Sequence, residues 1–288
     1  YSTIPLLAFM RPHRYNLFMQ ANRSSLPSAD RIGVLIASVL LTFALTRLIQ
    51  SPRLTLTLSL PGFYYALPLT LGTFMTLLAA ALTAAGMDWL IRNHPTLEKK
   101  TTFEHLMLPT ITTYVIGALL ALLPDGRSWW VGFAFGSVLL VTVFMAEYIT
   151  VEPSTPTYAL ARAGLTALAY ALFLIFATSL RFSGARMFVL VPAVFLFAGL
   201  ICLRALHLDG TDRWDFPWAI GIGLICAQIS AGLHYWPLTP IQFGLALTGP
   251  FYALTLLSVD LAENIPWRRA MVGPAIIVGL AWTTAFLL

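Results

Sequence analysis

From residue 31 onward the chain is a succession of apolar stretches, each long enough to cross a bilayer and each closed by a short polar loop. A hydrocarbon core about 30 Å thick needs roughly 20 mostly apolar residues in helical form, and every backbone amide inside it must find its partner within the protein. The expected fold class is therefore all-α, a polytopic integral membrane bundle of about nine transmembrane helices. We place them at 32–49, 62–87, 106–123, 129–149, 158–180, 187–206, 217–233, 241–259 and 270–288. The composition agrees, since 58% hydrophobic and 10% charged residues leave too little polar surface to cover a soluble domain. Residues 32–288 are read as the bundle. Residues 1–31 are read as an N-terminal interfacial segment, because YSTIPLLAFM is short, is followed by Arg11 and Arg14, and lacks a cleavage-type small-residue site.

Charge orients the bundle. With nine spans, one side holds Arg11, Arg14, Arg23, Arg31, Arg92, Lys99, Lys100, Arg162, Arg204, Arg213, Arg268 and Arg269, and the other holds only Arg47, Arg53, Arg127, Arg181 and Arg186. Lys and Arg are retained on the cytoplasmic side. The N-terminus is thus expected inside and the C-terminus outside. The seventh stretch is short and glycine-bearing, yet removing it as a span would carry Arg268 and Arg269 across and blunt the asymmetry. Of the acids, only Asp125 falls on the outer side. Tyr64, Tyr65, Trp129, Trp130, Tyr235 and Trp236 suit an aromatic belt there, with Trp89, Trp214, Trp218 and Trp267 in the equivalent place inside. Basic residues spread singly or in pairs along short loops fit membrane orientation and not nucleic-acid binding.

Small residues point to close helix packing: AAALTAAG at 79–86, and Gly132 with Gly136 in a GxxxG frame. Pro68, Pro109, Pro192, Pro250 and Pro274 fall in or at the ends of spans, where neighbouring groups must satisfy the carbonyls they free. Broken helices at the midplane are a transporter device, but these prolines have no matched placement in two halves, which weighs against that reading.

Ionisable groups deep in a span are costly and usually functional, and none falls at the middle of any of the nine stretches. Asp88, Arg92, Glu147, Arg162, Arg204 and Asp260 all sit near inner helix ends and form a candidate polar layer. Asp88 and Arg92 share one helix face, Trp89 anchors at the headgroups and Pro95 stops the helix, so this cluster reads as a helix exit. For Glu147, Arg162 and Asp260 the plain expectation is that each reaches the interface separately. The alternative is a shallow inner cavity for a lipid headgroup or a partner loop. In HLDGTDRWD, Asp209, Asp212 and Asp215 are three apart, a weak candidate loop for a hard cation such as Mg²⁺. Without a second acidic motif it reads as a solvated turn.

A retinal Schiff base needs a lysine within a span, and the only lysines are Lys99 and Lys100 in a loop, so none is expected. A bis-histidine haem is not expected either, because His13, His94, His105, His207 and His234 fall outside or at the ends of the stretches. His207 is read as a hydrated interfacial side chain, with a surface pigment or metal as the alternative. Cys202 and Cys226 lie within apolar runs and read as buried thiols, and no metal site is expected. GxSxG, P-loop, HExxH and CxxC patterns are absent. The NRS triplet at Asn22 falls on the predicted inner side and reads as a sequon by pattern only.

The run YYALPLTLGTFMTLLAAALTAAGMDWLIRNHP at 64–95, with its GMDWLIRNHP ending, resembles bacterial multi-pass membrane proteins grouped as a domain of unknown function. The resemblance implies a bacterial plasma membrane and brings no established catalytic residues. The functional expectation is an accessory or scaffold subunit of a membrane complex, non-catalytic, packing against the bilayer and other membrane subunits or holding lipid or pigment. The alternative is a small-molecule carrier or a membrane-embedded lipid-modifying enzyme that uses the inner carboxylates.

Overall fold

Each long apolar stretch is a helix. The computed structural model describes residues 29–48, 54–60, 63–92, 102–124, 126–152, 156–208 and 215–288. Most of the N-terminal segment, the Lys99 and Lys100 loop, and Asp209 and Asp212 lie outside the described residues. The helices are α1 (Ala29–Leu48), α2 (Leu71–Arg92), α3 (Phe103–Leu122), α4 (Arg127–Thr150), α5 (Tyr158–Phe182), α6 (Met187–Leu208), α7 (Phe216–His234), α8 (Pro240–Ala262), the single turn α9 (Trp267–Ala270) and α10 (Val272–Leu287). Among the described residues eight crossings, α2 to α8 and Trp267–Leu287 taken together, are long and apolar enough to span a membrane; α1, where the first of nine was expected, is a helix but is not among them. The protein is an integral multi-pass membrane protein with its helices against the lipid bilayer. The break at Met271 has a local cause: Pro274 has no N–H for the carbonyl of Ala270, so the helical ladder is interrupted there.

One boundary differs from expectation. Residues 62–70 are not the start of a helix: β1 (Leu54–Leu60) and β2 (Phe63–Leu69) pair antiparallel, from Leu54 opposite Leu69 to Leu60 opposite Phe63. The period-two alternation of LTLTLSL and the aromatic FYYALPL favour strands, and Pro68 is tolerated because both strands of a two-stranded sheet are edges. Tyr64 and Tyr65 therefore lie on β2, and the helix begins only at Leu71.

Consecutive helices pack side by side, and two apolar clusters share α3 and α4. Leu35, Val39 and Phe43 of α1 meet Met87 and Leu90 of α2 and Leu140 and Phe144 of α4 in the first. The second joins α3 through α8, with Phe173, Val194, Ile201, Phe243 and Phe251 at its centre. With no hydrophobic gain from leaving lipid, helix association depends on close approach, and small residues sit where it occurs. A Cβ at Gly86 would collide with Leu35, one at Gly136 would come within 2.8 Å of Ile116, and one at Gly132 within 2.6 Å of Leu123. At Gly223 the neighbour is backbone: the carbonyl oxygen of Phe195 lies 2.8 Å from where a Cβ would be, so α6 and α7 approach main chain to main chain. That approach accounts for the short seventh helix holding its place.

Pro109, Pro192 and Pro250 lie inside α3, α6 and α8. Each deprives the carbonyl four residues earlier of its helical donor. For Pro250 that carbonyl belongs to Ala246, and the indole Nε1–H of Trp282 on α10 donates to it at 3.0 Å. At the end of the bundle away from the acids, Arg181 donates to the carbonyls of His234 and Trp236, both at 3.1 Å, and ties α5 to the α7–α8 connection.

Candidate functional site

Three helix ends converge one turn inside the acid-bearing end of the bundle: the start of α3, and the ends of α4 and α6. Glu104 and His105 sit in the first turn of α3, Glu147 and Thr150 in the last turns of α4, and Arg204 and His207 in the last turns of α6. The placement suits the helix dipoles at α3 and α6, where an acid begins one helix and cations end the other. Glu147 is the centre and is wholly buried, with Arg204 1% and His105 6% exposed. Its Oε2 accepts from Arg204 Nη2 at 2.6 Å, lies 3.0 Å from His105 Nδ1, and receives the Thr150 hydroxyl at 3.5 Å. The other ring nitrogen of His105 lies 3.4 Å from Glu104 Oε1, and Glu104 Oε2 pairs with His207 Nε2.

Two properties follow. First, the Glu147–Arg204 pair meets end-on at a single oxygen, so Glu147 Oε1 and Arg204 Nε have no hydrogen-bond partner among the described residues. A fork-to-fork pair would have used both. Second, the string His207–Glu104–His105–Glu147 alternates imidazole and carboxylate. Ionised carboxylates only accept, and a neutral imidazole donates from one nitrogen only. With both acids ionised and Arg204 charged, the cluster bears one negative charge if both histidines are neutral, and one proton on the string makes it neutral. Burying an uncompensated charge is expensive in lipid and protein alike, so the balance of charge within the cluster bears directly on the joint it makes.

The polar layer inferred from the sequence is thus brought together only in part. Glu147 and Arg204 join directly as a buried pair; of Glu147, Arg162 and Asp260, expected to reach the interface separately, Glu147 is the one turned into this cluster. Asp88 and Arg92 form a local pair at 2.6 Å on the last turn of α2, with Thr102 donating to Asp88, while Trp89 lies under the Arg31 guanidinium at 5.4 Å from the ring centre. Arg162 lines a separate groove between α5, α8 and α10, and Asp260 is half-buried near the end of α8. Asp215 precedes α7 without capping it. Gly132 and Gly136 face α3.

Glu104, His105 and Thr150 were not singled out from the sequence, and His207 is a paired, largely buried side chain where hydration was expected. The signal was the Glu–His pair just ahead of an apolar run. Starting that helix at 106 placed both residues outside the span, whereas α3 begins at Phe103 and carries them inward.

A second polar feature occupies the opposite end of α3. A cavity of about 360 Å³ is lined by Thr46, Arg47, Thr70, Thr76, Gly117 and Trp129, among others. Between it and the cluster, the buried hydroxyls of Thr83 and Thr113 bond to each other across α2 and α3 at 2.9 Å.

No curated protein and no solved structure matches this chain. A family model does match, over residues 51–288, from just before the hairpin to the end and across every residue of the buried cluster. The chain belongs to that family, described as protein of unknown function (DUF5656).

Proposed function

We propose that the protein is a carrier in which α2, α3 and α4 form the path and the Glu147 cluster is a protonatable gate at one end. The observation that carries this reading is the wholly buried Glu147, held by Arg204 and His105 at one oxygen and open at the other. Intramembrane acid and histidine chains are the usual means of moving protons in pumps and transporters. The Thr83–Thr113 pair and the polar cavity near Arg47 extend polar groups along the same helices toward the far side. His105 and Gly117 are twelve residues apart on α3, so cavity and cluster are separated by about 18 Å at 1.5 Å per residue. Gating then amounts to adding or removing the proton that balances the cluster, which strengthens or weakens the joint between α3, α4 and α6. The charge-rich end is assigned to the cytoplasm and the membrane to a bacterial plasma membrane, on the Lys and Arg asymmetry and the family resemblance respectively.

The test is charge displacement after a pH step, recorded from the full chain in proteoliposomes on a solid-supported membrane. The wild type is expected to give a transient current that Glu147→Gln and His105→Gln abolish. No current in a folded wild type would refute the carrier reading. It would return the protein to the second one, an accessory subunit in a membrane complex, favoured by the apolar face that Val131, Phe135 and Val138 leave exposed on α4. Extraction in mild detergent with mass spectrometry of co-migrating proteins tests that reading directly.

A further inference from the structure

One cavity lies apart from the Glu147 cluster. It is a groove of about 910 Å³ between α5 and α10, floored by α8, with Arg162, Ala167, Tyr170, Gly249, Tyr252 and Ala281 among its lining residues. The floor is deep because α8 and α10 approach closely, a Cβ at Gly249 having no room beside Ala281. Tyr158 and Tyr170 both line it and lie twelve residues apart on α5, so it runs about 18 Å along the axis of that helix. A single leaflet of hydrocarbon is about half of a 30 Å core. The groove therefore starts at the charge-rich surface and covers the depth of one leaflet.

Its polarity is graded. Among the described lining residues the one charged side chain, Arg162, is one turn from the start of α5, at the surface end. Deeper, the hydroxyl of Tyr170 is bonded to Thr255 at 2.8 Å and that of Thr248 to the carbonyl of Gly244 at 2.8 Å, so both are satisfied within the walls. The rings of Tyr170 and Tyr252 pack edge to face at 4.7 Å and present carbon surface. A polar solute would find few partners at depth, whereas an acyl chain loses nothing by entering and a phosphate at the mouth meets a guanidinium.

We propose that this groove binds one phospholipid of the charge-rich leaflet, with an acyl chain between α5 and α10 and its anionic headgroup on Arg162. The site is independent of the carrier reading and would exist in an accessory subunit equally.

The test uses the purified full chain in mild detergent, titrated with phosphatidylglycerol or phosphatidylcholine and read by native mass spectrometry. One phosphatidylglycerol per wild-type chain is expected to survive, Ala167→Phe is expected to abolish that retention by filling the groove, and Ala163→Leu to reduce it. Both positions are exposed, so the added atoms enter the groove and not the core. Leu160→Phe, on the same helix and outside the groove lining, is the control and should retain lipid. Arg162→Gln should keep a lipid while its preference for phosphatidylglycerol over phosphatidylcholine falls by about fivefold, the weight of one cation at a membrane surface. Undiminished retention by both Ala167→Phe and Ala163→Leu, retention of no lipid by the wild type, or binding of inorganic phosphate in place of lipid would each overturn the proposal.

Discussion

Replacing Trp282 with Phe should cost more in the native chain than in one where Pro250 is Ala. Pro250 leaves the carbonyl of Ala246 without a helical donor, and the Trp282 indole supplies one from α10 at 3.0 Å. Trp282→Phe keeps most of the ring and removes that donor. A net hydrogen bond contributes about 1 kcal/mol, and an acceptor left buried and unpaired costs about 1–3 kcal/mol. Side-chain bonds between helices in a membrane have averaged about 0.6 kcal/mol with a maximum near 1.7, so a loss of about 1 to 2 kcal/mol is expected for the single change, ring shrinkage included. Pro250→Ala restores an N–H four residues after Ala246, and the carbonyl can then close the α-helical bond. In that background Trp282→Phe should cost about 1 kcal/mol less, whatever Pro250→Ala does by itself. The assay is reversible unfolding of all four chains in mixed detergent, followed by helical circular dichroism. A coupling energy within about 0.3 kcal/mol of zero, the usual scatter of independent sites, would show that the indole does not stand in for the missing amide.

Other perturbations test other joints of the bundle. Glu147→Ala strands Arg204 in a dry site and should destabilise by about 3–5 kcal/mol, whereas Glu147→Leu with Arg204→Met should recover most of that loss; the same unfolding assay reads both. Gly223→Val places a side chain against the Phe195 carbonyl and should cost about 1–3 kcal/mol through separation of α6 and α7, visible as a lower midpoint. Arg181→Ala removes both ties to the α7–α8 connection, and amide exchange at Tyr235, Trp236 and Leu238 should accelerate while exchange in the centre of α8 stays unchanged.

The helices were legible because lipid allows so few alternatives: an apolar run of that length has to satisfy its own backbone. Their packing was partly legible, since Gly132 and Gly136 face α3 as a GxxxG frame suggests. The hairpin was missed because FYYALPL is continuous with the apolar run that follows it and fell inside the expected stretch 62–87, and hydropathy does not distinguish period two from period 3.6; the Leu–Thr alternation at 54–60, outside every expected span, carried the signal. The cluster was hidden for a different reason. Glu104, His105, Glu147, Arg204 and His207 come from three separate stretches, each lying within a turn or two of a helix end, where a charge is ordinarily expected to reach water. Their burial is a tertiary fact.

Depth decides what that burial means. Arg204 is four residues from the end of α6 and Glu147 three from the end of α4, so at 1.5 Å per residue each lies only about 5–6 Å inside its helix terminus. An isolated Arg or Glu at that depth reaches the interface at little cost by extending its side chain. Here neither does: both are turned into the bundle and spent on one another, with an oxygen and a nitrogen left open. A purely structural joint between α3, α4 and α6 would be served as well by packed apolar residues, which often equal or exceed a buried ion pair in stability. The two histidines also cross between helices, His105 of α3 to Glu147 of α4 and His207 of α6 to Glu104 of α3, and imidazole is the side chain whose ordinary charge change falls nearest neutral pH. On the proposed carrier reading the charge state of the cluster changes during transport, whereas in a purely structural joint it stays fixed, and the pH-step measurement on Glu147 and His105 separates the two.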